Sequence, residues 1–401
     1  MSTFQGGSVI TSGAARALRR YQYHGSDLSL LYKYFLSPLA ERCLVFLPSW
    51  MAPNLVTTIG LGLTTASYVL MFSMAPGVIS VDTPSWVFPT AALGLFVYQT
   101  LDNMDGKQAR RTGSSSPLGL IFDHGCDAIN CCFGIVFVGC MLNAGSSPLL
   151  LGAAFLNQLV PFFFTTWEHY YTDELILPIV NGPSEGVILG VICACLRGAY
   201  GPDFLTTPRA ELKGWPAGEL LIAFSLFGVA VTVAKQFAMV AHARGKVKRG
   251  MALPILDVSG FVAVIVVGAV WGWCRPSLVS SIPYTLILLF GLLHVDMSVH
   301  LMVCHVCSMK CRPIRPILMP FLLVVANSFL PWGPLVDEAS LVWCFTVLTV
   351  VYEALYLYLV VVETAQALDI FVFTLGKRSA GNGAPAVGVT SSNGTPSKKA
   401  S

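Results

Sequence analysis

Ten runs of roughly 20 apolar residues alternate with short polar or Pro- and Gly-bearing breaks between residues 55 and 365. They read as 55–75, 86–105, 118–143, 148–172, 184–201, 219–243, 254–273, 283–306, 314–331 and 340–365. At about 1.5 Å per residue, a helix of that length crosses the ~30 Å hydrocarbon layer of a bilayer. The pattern therefore predicts about ten transmembrane helices, with Pro53 and Asn54 opening the first. Ahead of them, Leu28 to Leu47 mixes apolar residues with Lys33, Glu41 and Arg42, which predicts amphipathic helices lying on the membrane surface. From Gly376 the chain is rich in Gly, Ser, Thr, Ala and Pro without an apolar period, and is expected to be disordered. The fold class is an all-α polytopic membrane protein with N-terminal amphipathic surface helices.

Composition agrees: of 401 residues, 55% are hydrophobic and 11% charged, and the mean hydropathy is +0.69. A net charge of +3 gives no reason to expect nucleic acid as a partner. The distribution of the charge says more. With the N-terminus in the cytosol, ten spans put 19 of the 24 Lys and Arg on the cytosolic face, four on the other, and Lys235 within a span. That is the asymmetry of the positive-inside rule. Most of the 12 Cys fall inside apolar runs, as reduced small hydrophobes do. Cys304, Cys307 and Cys311 with His300 and His305 follow no standard zinc spacing. Residues 1–25 lack the apolar core of a signal peptide; Arg16, Arg19 and Arg20 read as a basic cytosolic arm, with a transit peptide as the rival. The last four residues, Lys398, Lys399, Ala400 and Ser401, resemble a dilysine retrieval signal of endoplasmic reticulum membrane proteins.

The stretch from Asp102 to Asp127 stands apart from this apolar background. Asp102 and Asp105 are three residues apart at the end of one run, and Asp123 and Asp127 four apart near the start of the next. Such spacings share a helix face, so two facing helices would direct four carboxylates at one point. Anions gathered at a membrane boundary need a cation between them. Hard oxygen ligands favour Mg²⁺ or Mn²⁺ over Zn²⁺, and two ions would form the clamp used in displacement at phosphorus. Gly106 and Ala109 remove bulk beside the first pair, Gly119 does the same on the second helix, and Arg110 offers a planar fork suited to phosphate. His124, between Asp123 and Asp127, is the candidate base, and Glu185 or Glu168 could orient it.

The residues Asp102, Asp105, Gly106, Ala109, Arg110, Gly119, Asp123 and Asp127 match the signature D-x2-D-G-x2-A-R-x8-G-x3-D-x3-D without departure. The chain thereby resembles the CDP-alcohol phosphotransferase family. DHGCD at 123–127, TWE at 166–168 with Tyr170, and GPSEG at 182–186 narrow the resemblance to the eukaryotic choline and ethanolaminephosphotransferases. That likeness implies that the four aspartates hold two Mg²⁺ (or Mn²⁺) ions and that His124 accepts the proton with Glu185 in support. It implies that Asn54 and Arg110 contact the CDP moiety, that diacylglycerol is the acceptor, and that the protein is a homodimer. Bacterial relatives lack the histidine, and Asp127 stays the alternative base. On this reading residues 1–52 form a cytosolic amphipathic region, 53–201 the catalytic helices, 202–375 further membrane helices and 376–401 a cytosolic tail.

The expected activity is transfer of phosphoethanolamine or phosphocholine from CDP-ethanolamine or CDP-choline to diacylglycerol, releasing CMP, at a site facing the cytosol. The head group is left open. A CDP-diacylglycerol-dependent phosphatidyltransferase is the rival within the class, and a divalent-cation transporter the rival outside it. Lys235, Asp296 and Glu353 are intramembrane charges that stay outside the expected site, as functional candidates or structural contacts.

Overall fold

The computed structural model describes residues 9–376; the terminal Lys398 and Lys399 and the tail expected to be disordered lie beyond them. The chain forms α1 Ser12–Leu18, α2 Ser37–Cys43, α3 Pro53–Met74, α4 Val87–Thr112, α5 Pro117–Met141, α6 Pro148–Thr172 and α7 Val187–Tyr200. There follow α8 Asp203–Thr206, α9 Ala217–Lys246, α10 Ala252–Cys274, α11 Pro276–Ser281, α12 Pro283–Val306, α13 Leu318–Asn327 and α14 Glu338–Leu368. Strand β1 Gly25–Asp27 pairs in parallel with β2 Leu175–Leu177, and β3 Pro208–Arg209 pairs antiparallel with β4 Trp215–Pro216.

Every expected span coincides with a helix, but two of the ten are unusual. Among the described residues, eight helices are long and apolar enough to cross a membrane: α3, α5, α6, α7 with the turn before it, α9, α10, α12 and α14. The 26-residue α4 is long enough, yet its last turns carry Asp102, Asp105, Lys107, Arg110 and Arg111. The expected span 314–331 is instead the 10-residue α13, which reaches only about 15 Å. An irregular stretch completes that crossing. Arg315 donates to both oxygens of Asp296 at 2.6 Å, deep on α12, so the chain after α12 folds back into the bundle before α13 begins. The far end of α13 meets the far end of α10, where Ser328 accepts from Trp271 and Arg275.

Irregular backbone at membrane depth survives only where protein surrounds it. A Cβ on Gly260 would lie 1.8 Å from the carbonyl oxygen of Pro313, so a residue without a side chain lets α10 close over this stretch. Arg315, at the edge of the expected span 314–331 and counted among the 19 on the cytosolic face, is a buried counter-ion instead. Asp296 is accordingly a paired structural group. Glu353 on α14 is 1% exposed, and neither of its carboxyl oxygens has a hydrogen-bond partner.

The axis of the bundle is α12, with 78% of its apolar window buried against 56% or less for every other span. It packs on α5, where a Cβ on Gly291 would come 2.5 Å from the Cys132 sulfur. Between β1 and α3, the helical stretch Tyr32–Phe46 exposes Tyr34, Phe35, Val45 and Phe46 while burying Leu36 and Ala40. That is the two-sided character expected of a surface helix. Both ends of the described chain meet at one end of the bundle. Glu363 Oε2 on α14 accepts from the N–H groups of Val9 and Ile10 at 2.7 Å, and Met51 pairs with Thr374.

Candidate metal and nucleotide site

The turn 113–116 reverses the chain between α4 and α5. Gly113 supplies the left-handed residue that ends α4 (φ 65°), and Ser116 caps α5 by accepting from Gly119 N at 3.2 Å. The two signature halves therefore end up side by side. One carboxylate oxygen from each of Asp102, Asp123 and Asp127 lies within 4.8 Å of the others, the one such group of possible metal ligands among the described residues. Asp105 adjoins the three, its carboxyl close to that of Asp123.

Few donors serve these acids. Tyr98, one turn before Asp102, donates to Asp127 Oδ1 at 2.5 Å, and Thr57 on α3 donates to Asp105 Oδ2 at 2.5 Å. Asp102 Oδ1 and Asp123 Oδ1 are shielded from solvent with no partner at all. Orphaned carboxylate oxygens in a low dielectric are tolerated with a cation among them, and an all-oxygen donor set fits a hard divalent ion. The cysteine and histidine group at 300–311 makes no comparable cluster.

The other expected residues come from α3, α4, α5 and the turn before α7. Gly106 and Arg110 adjoin, since a Cβ on Gly106 would lie 3.6 Å from Arg110 Nη1; the guanidinium thus folds back along α4 from an exposed position. Ala109, half-buried, is on the same last turns of α4. Asn54 faces Gly119, its Oδ1 3.8 Å from a Cβ placed there. Tyr23 of the N-terminal arm is close enough to feel both Asp123 and Arg110; burial first, then the Asp123 carboxylate, push its phenol up to about 12, so it remains a donor. Glu185, in contrast, is on a π-helical turn, accepting from Ser29 Oγ at 2.5 Å and Asn181 N at 2.9 Å.

His124 is therefore held differently from expectation. Its ring stacks on Phe162 of α6 at 4.5 Å, and its Nε2 lies 3.0 Å from Thr166 Oγ1. The Thr166 hydroxyl already donates to the Phe162 carbonyl at 2.9 Å, so toward the imidazole it can only accept. The proton consequently sits on Nε2, and Nδ1 carries the free lone pair. Neither Glu185 nor Glu168 hydrogen-bonds to His124; Glu168 is two residues from Thr166, on the other side of α6, toward Lys235. The next turn on the Thr166 face brings His169, 1% exposed, with its ring 4.1 Å from that of His305.

Sequence reasoning missed Tyr98, Thr57 and Thr166. Tyr98 was recoverable, because it stands four residues before Asp102 on the same helix face. Thr57 stands three after Asn54 on an equally legible face. Thr166 opens the TWE stretch that carries the resemblance, but nothing local marks its pairing with His124, which arises only because α6 packs on α5.

Comparison with known proteins follows the same residues. The profile of the CDP-alcohol phosphatidyltransferase family matches residues 50–172, which contain all four aspartates. Choline/ethanolaminephosphotransferase 1 of Arabidopsis thaliana is 33% identical over 93% of this chain and 100% of its own length. Choline/ethanolaminephosphotransferase 1 of Saccharomyces cerevisiae is 37% identical over 50% of each chain, and cholinephosphotransferase 1 of Homo sapiens 27% identical over 91% of this chain and 89% of its own. With the signature intact and a relative aligned along its whole length, this chain belongs to the CDP-alcohol phosphatidyltransferase family.

Proposed function

We propose that the protein transfers phosphocholine or phosphoethanolamine from its CDP ester to the free hydroxyl of diacylglycerol, forming phosphatidylcholine or phosphatidylethanolamine and releasing CMP. The observation that carries the reading is the convergence of Asp102, Asp123 and Asp127 to within 4.8 Å. The names of the full-length relatives support the substrates.

Asp102, Asp105, Asp123 and Asp127 would hold two Mg²⁺ or Mn²⁺ ions, which when bound neutralise the diphosphate and the departing phosphate oxygen. Tyr98 and Thr57 fix the carboxylates Asp127 and Asp105 by donating to one oxygen of each. Asn54 and Arg110 take the nucleotide where small side chains at Gly106, Ala109 and Gly119 leave room. The acceptor hydroxyl bonds to the phosphorus that bears the amino alcohol, the bond from that phosphorus to the CMP oxygen breaks, and the hydroxyl proton goes to His124 Nδ1. Thr166 and Phe162 keep that nitrogen available by anchoring the opposite one. Glu185 supports the site indirectly, tying the N-terminal arm to the turn before α7.

The charge pattern supports a site that faces the cytosol, and the family likeness supports a homodimer in the endoplasmic reticulum membrane. The division into an N-terminal region 1–52, catalytic helices 53–201 and further membrane helices 202–375 goes with it. The test is a reconstituted assay with diacylglycerol and either CDP-choline or CDP-ethanolamine, with and without chelator. Phospholipid and CMP should form in equal amounts and only with a divalent ion. Transfer from CDP-diacylglycerol alone, or ion flux without CMP release, would overturn the proposal.

A further inference from the structure

The segment after α14 does not leave the bundle. Asp369, left-handed at φ 59°, ends the helix and turns the chain across the end where the aspartates lie. Three contacts hold it there. Asn54 Nδ2 donates to the Val372 carbonyl at 2.9 Å, Phe373 meets Phe122 edge to face at 5.8 Å, and Thr374 pairs with Met51. Phe122 is the residue before Asp123, and Asn54 is one helical turn from Thr57, the donor to Asp105. A segment more than 240 residues beyond the signature thus forms one side of the site.

Its effect on Asn54 is chemical. An amide has a donor end and an acceptor end, and which way it points is decided by its partners. The Val372 carbonyl can only accept, so it claims Nδ2 and leaves Oδ1 turned toward Gly119, where among the described residues no donor reaches it. We propose that the segment Ile370–Gly376 is a fixed wall of the nucleotide site that sets the orientation of Asn54, presenting Oδ1 to an N–H or O–H donor of the cytidine. This rests on the reading of the site as a CDP-alcohol site. The cytosine amine and a ribose hydroxyl are both such donors. The residues of the segment are positioning residues, since they act through Asn54.

The experiment compares the full chain with a variant ending at Leu368, with Phe373→Ala, and with a Met51→Cys/Thr374→Cys pair. Paired residues on adjacent antiparallel segments are close enough for a disulfide. KM for the CDP-alcohol and the Kd for CMP should rise about tenfold on truncation, the fold-change of one lost hydrogen bond, and less in Phe373→Ala. KM for diacylglycerol and kcat should stay within about twofold. The oxidised cysteine pair should keep the kcat and KM of its own reduced form, because a wall need not move. UDP-choline losing the effect of truncation would identify the base amine as the donor, and the 2′-deoxyribose analogue losing it would identify the hydroxyl. Unchanged KM and Kd after truncation, or an oxidised pair that is inactive until reduced, would overturn the proposal; the latter makes the segment a lid. Absence of CMP release from every form would instead count against the underlying function.

Discussion

At the scale of single residues, the site is a balance of too many acceptors and too few donors. Two hydroxyl groups serve four carboxylates, so each hydroxyl matters more than its size implies. Tyr98→Phe and Thr57→Val each leave their aspartate free to rotate; activity should fall about 10- to 100-fold, with a higher Mg²⁺ concentration needed for half-maximal rate. A fall in rate without that shift in Mg²⁺ dependence would deny them the orienting role. Thr166→Val strips the acceptor from His124 Nε2, whereas Thr166→Ser keeps it. The expected loss is in kcat, roughly 10-fold for Val and small for Ser, as one buried unmade hydrogen bond implies. The four aspartates were legible in the sequence because helix periodicity alone brings them to common faces. The partner of His124 was not, because a carboxylate and a hydroxyl satisfy an imidazole equally well and only helix packing chooses between them.

At the scale of elements, the membrane pattern located every crossing but could not tell a helix from a broken one. Hydropathy averages over 314–331 and does not register that Pro313 and Pro316 keep the chain from helix until Leu318. Asp296 and Arg315 make the irregular stretch possible, and their 2.6 Å bidentate pairing is desolvated. Removing one partner of such a pair costs about 3–5 kcal/mol because a buried charge is left uncompensated, whereas two amides of similar shape leave no charge and can hydrogen-bond to each other. Arg315→Gln should therefore lower the thermal stability of the detergent-solubilised protein sharply, and Asp296→Asn/Arg315→Gln should recover most of it. Equal melting temperatures for the single and double variants would show the pair to be dispensable. The same element explains Gly260, where even a methyl group would collide with the Pro313 carbonyl.

At the scale of the whole molecule, an even number of crossings follows from where the ends meet. Met51 pairs with Thr374, β1 pairs with β2, and Glu363 binds the N–H groups of Val9 and Ile10, so the N-terminal arm, the aspartates and the last segment share one end. The turn between α13 and α14 lies at the other end, beside Arg275, which donates to Ser328 and lies 3.4 Å from Glu338. Positive charge gathers at the first end, which the positive-inside rule assigns to the cytosol. Two exposed positions test the assignment, Thr374 at the first end and Leu335 at the second. With the exposed cysteines Cys195, Cys274 and Cys344 and the half-buried Cys43 changed to serine, Thr374→Cys should react with an impermeant maleimide in sealed microsomes whose cytosolic face is outward. Leu335→Cys should react only after the membrane is opened. A reversed pattern would put the aspartates on the lumenal side, away from any cytosolic nucleotide. Labelling of both positions in sealed vesicles would put the two ends of the 31-residue apolar α14 on one side of the membrane, and would overturn the ten-crossing arrangement.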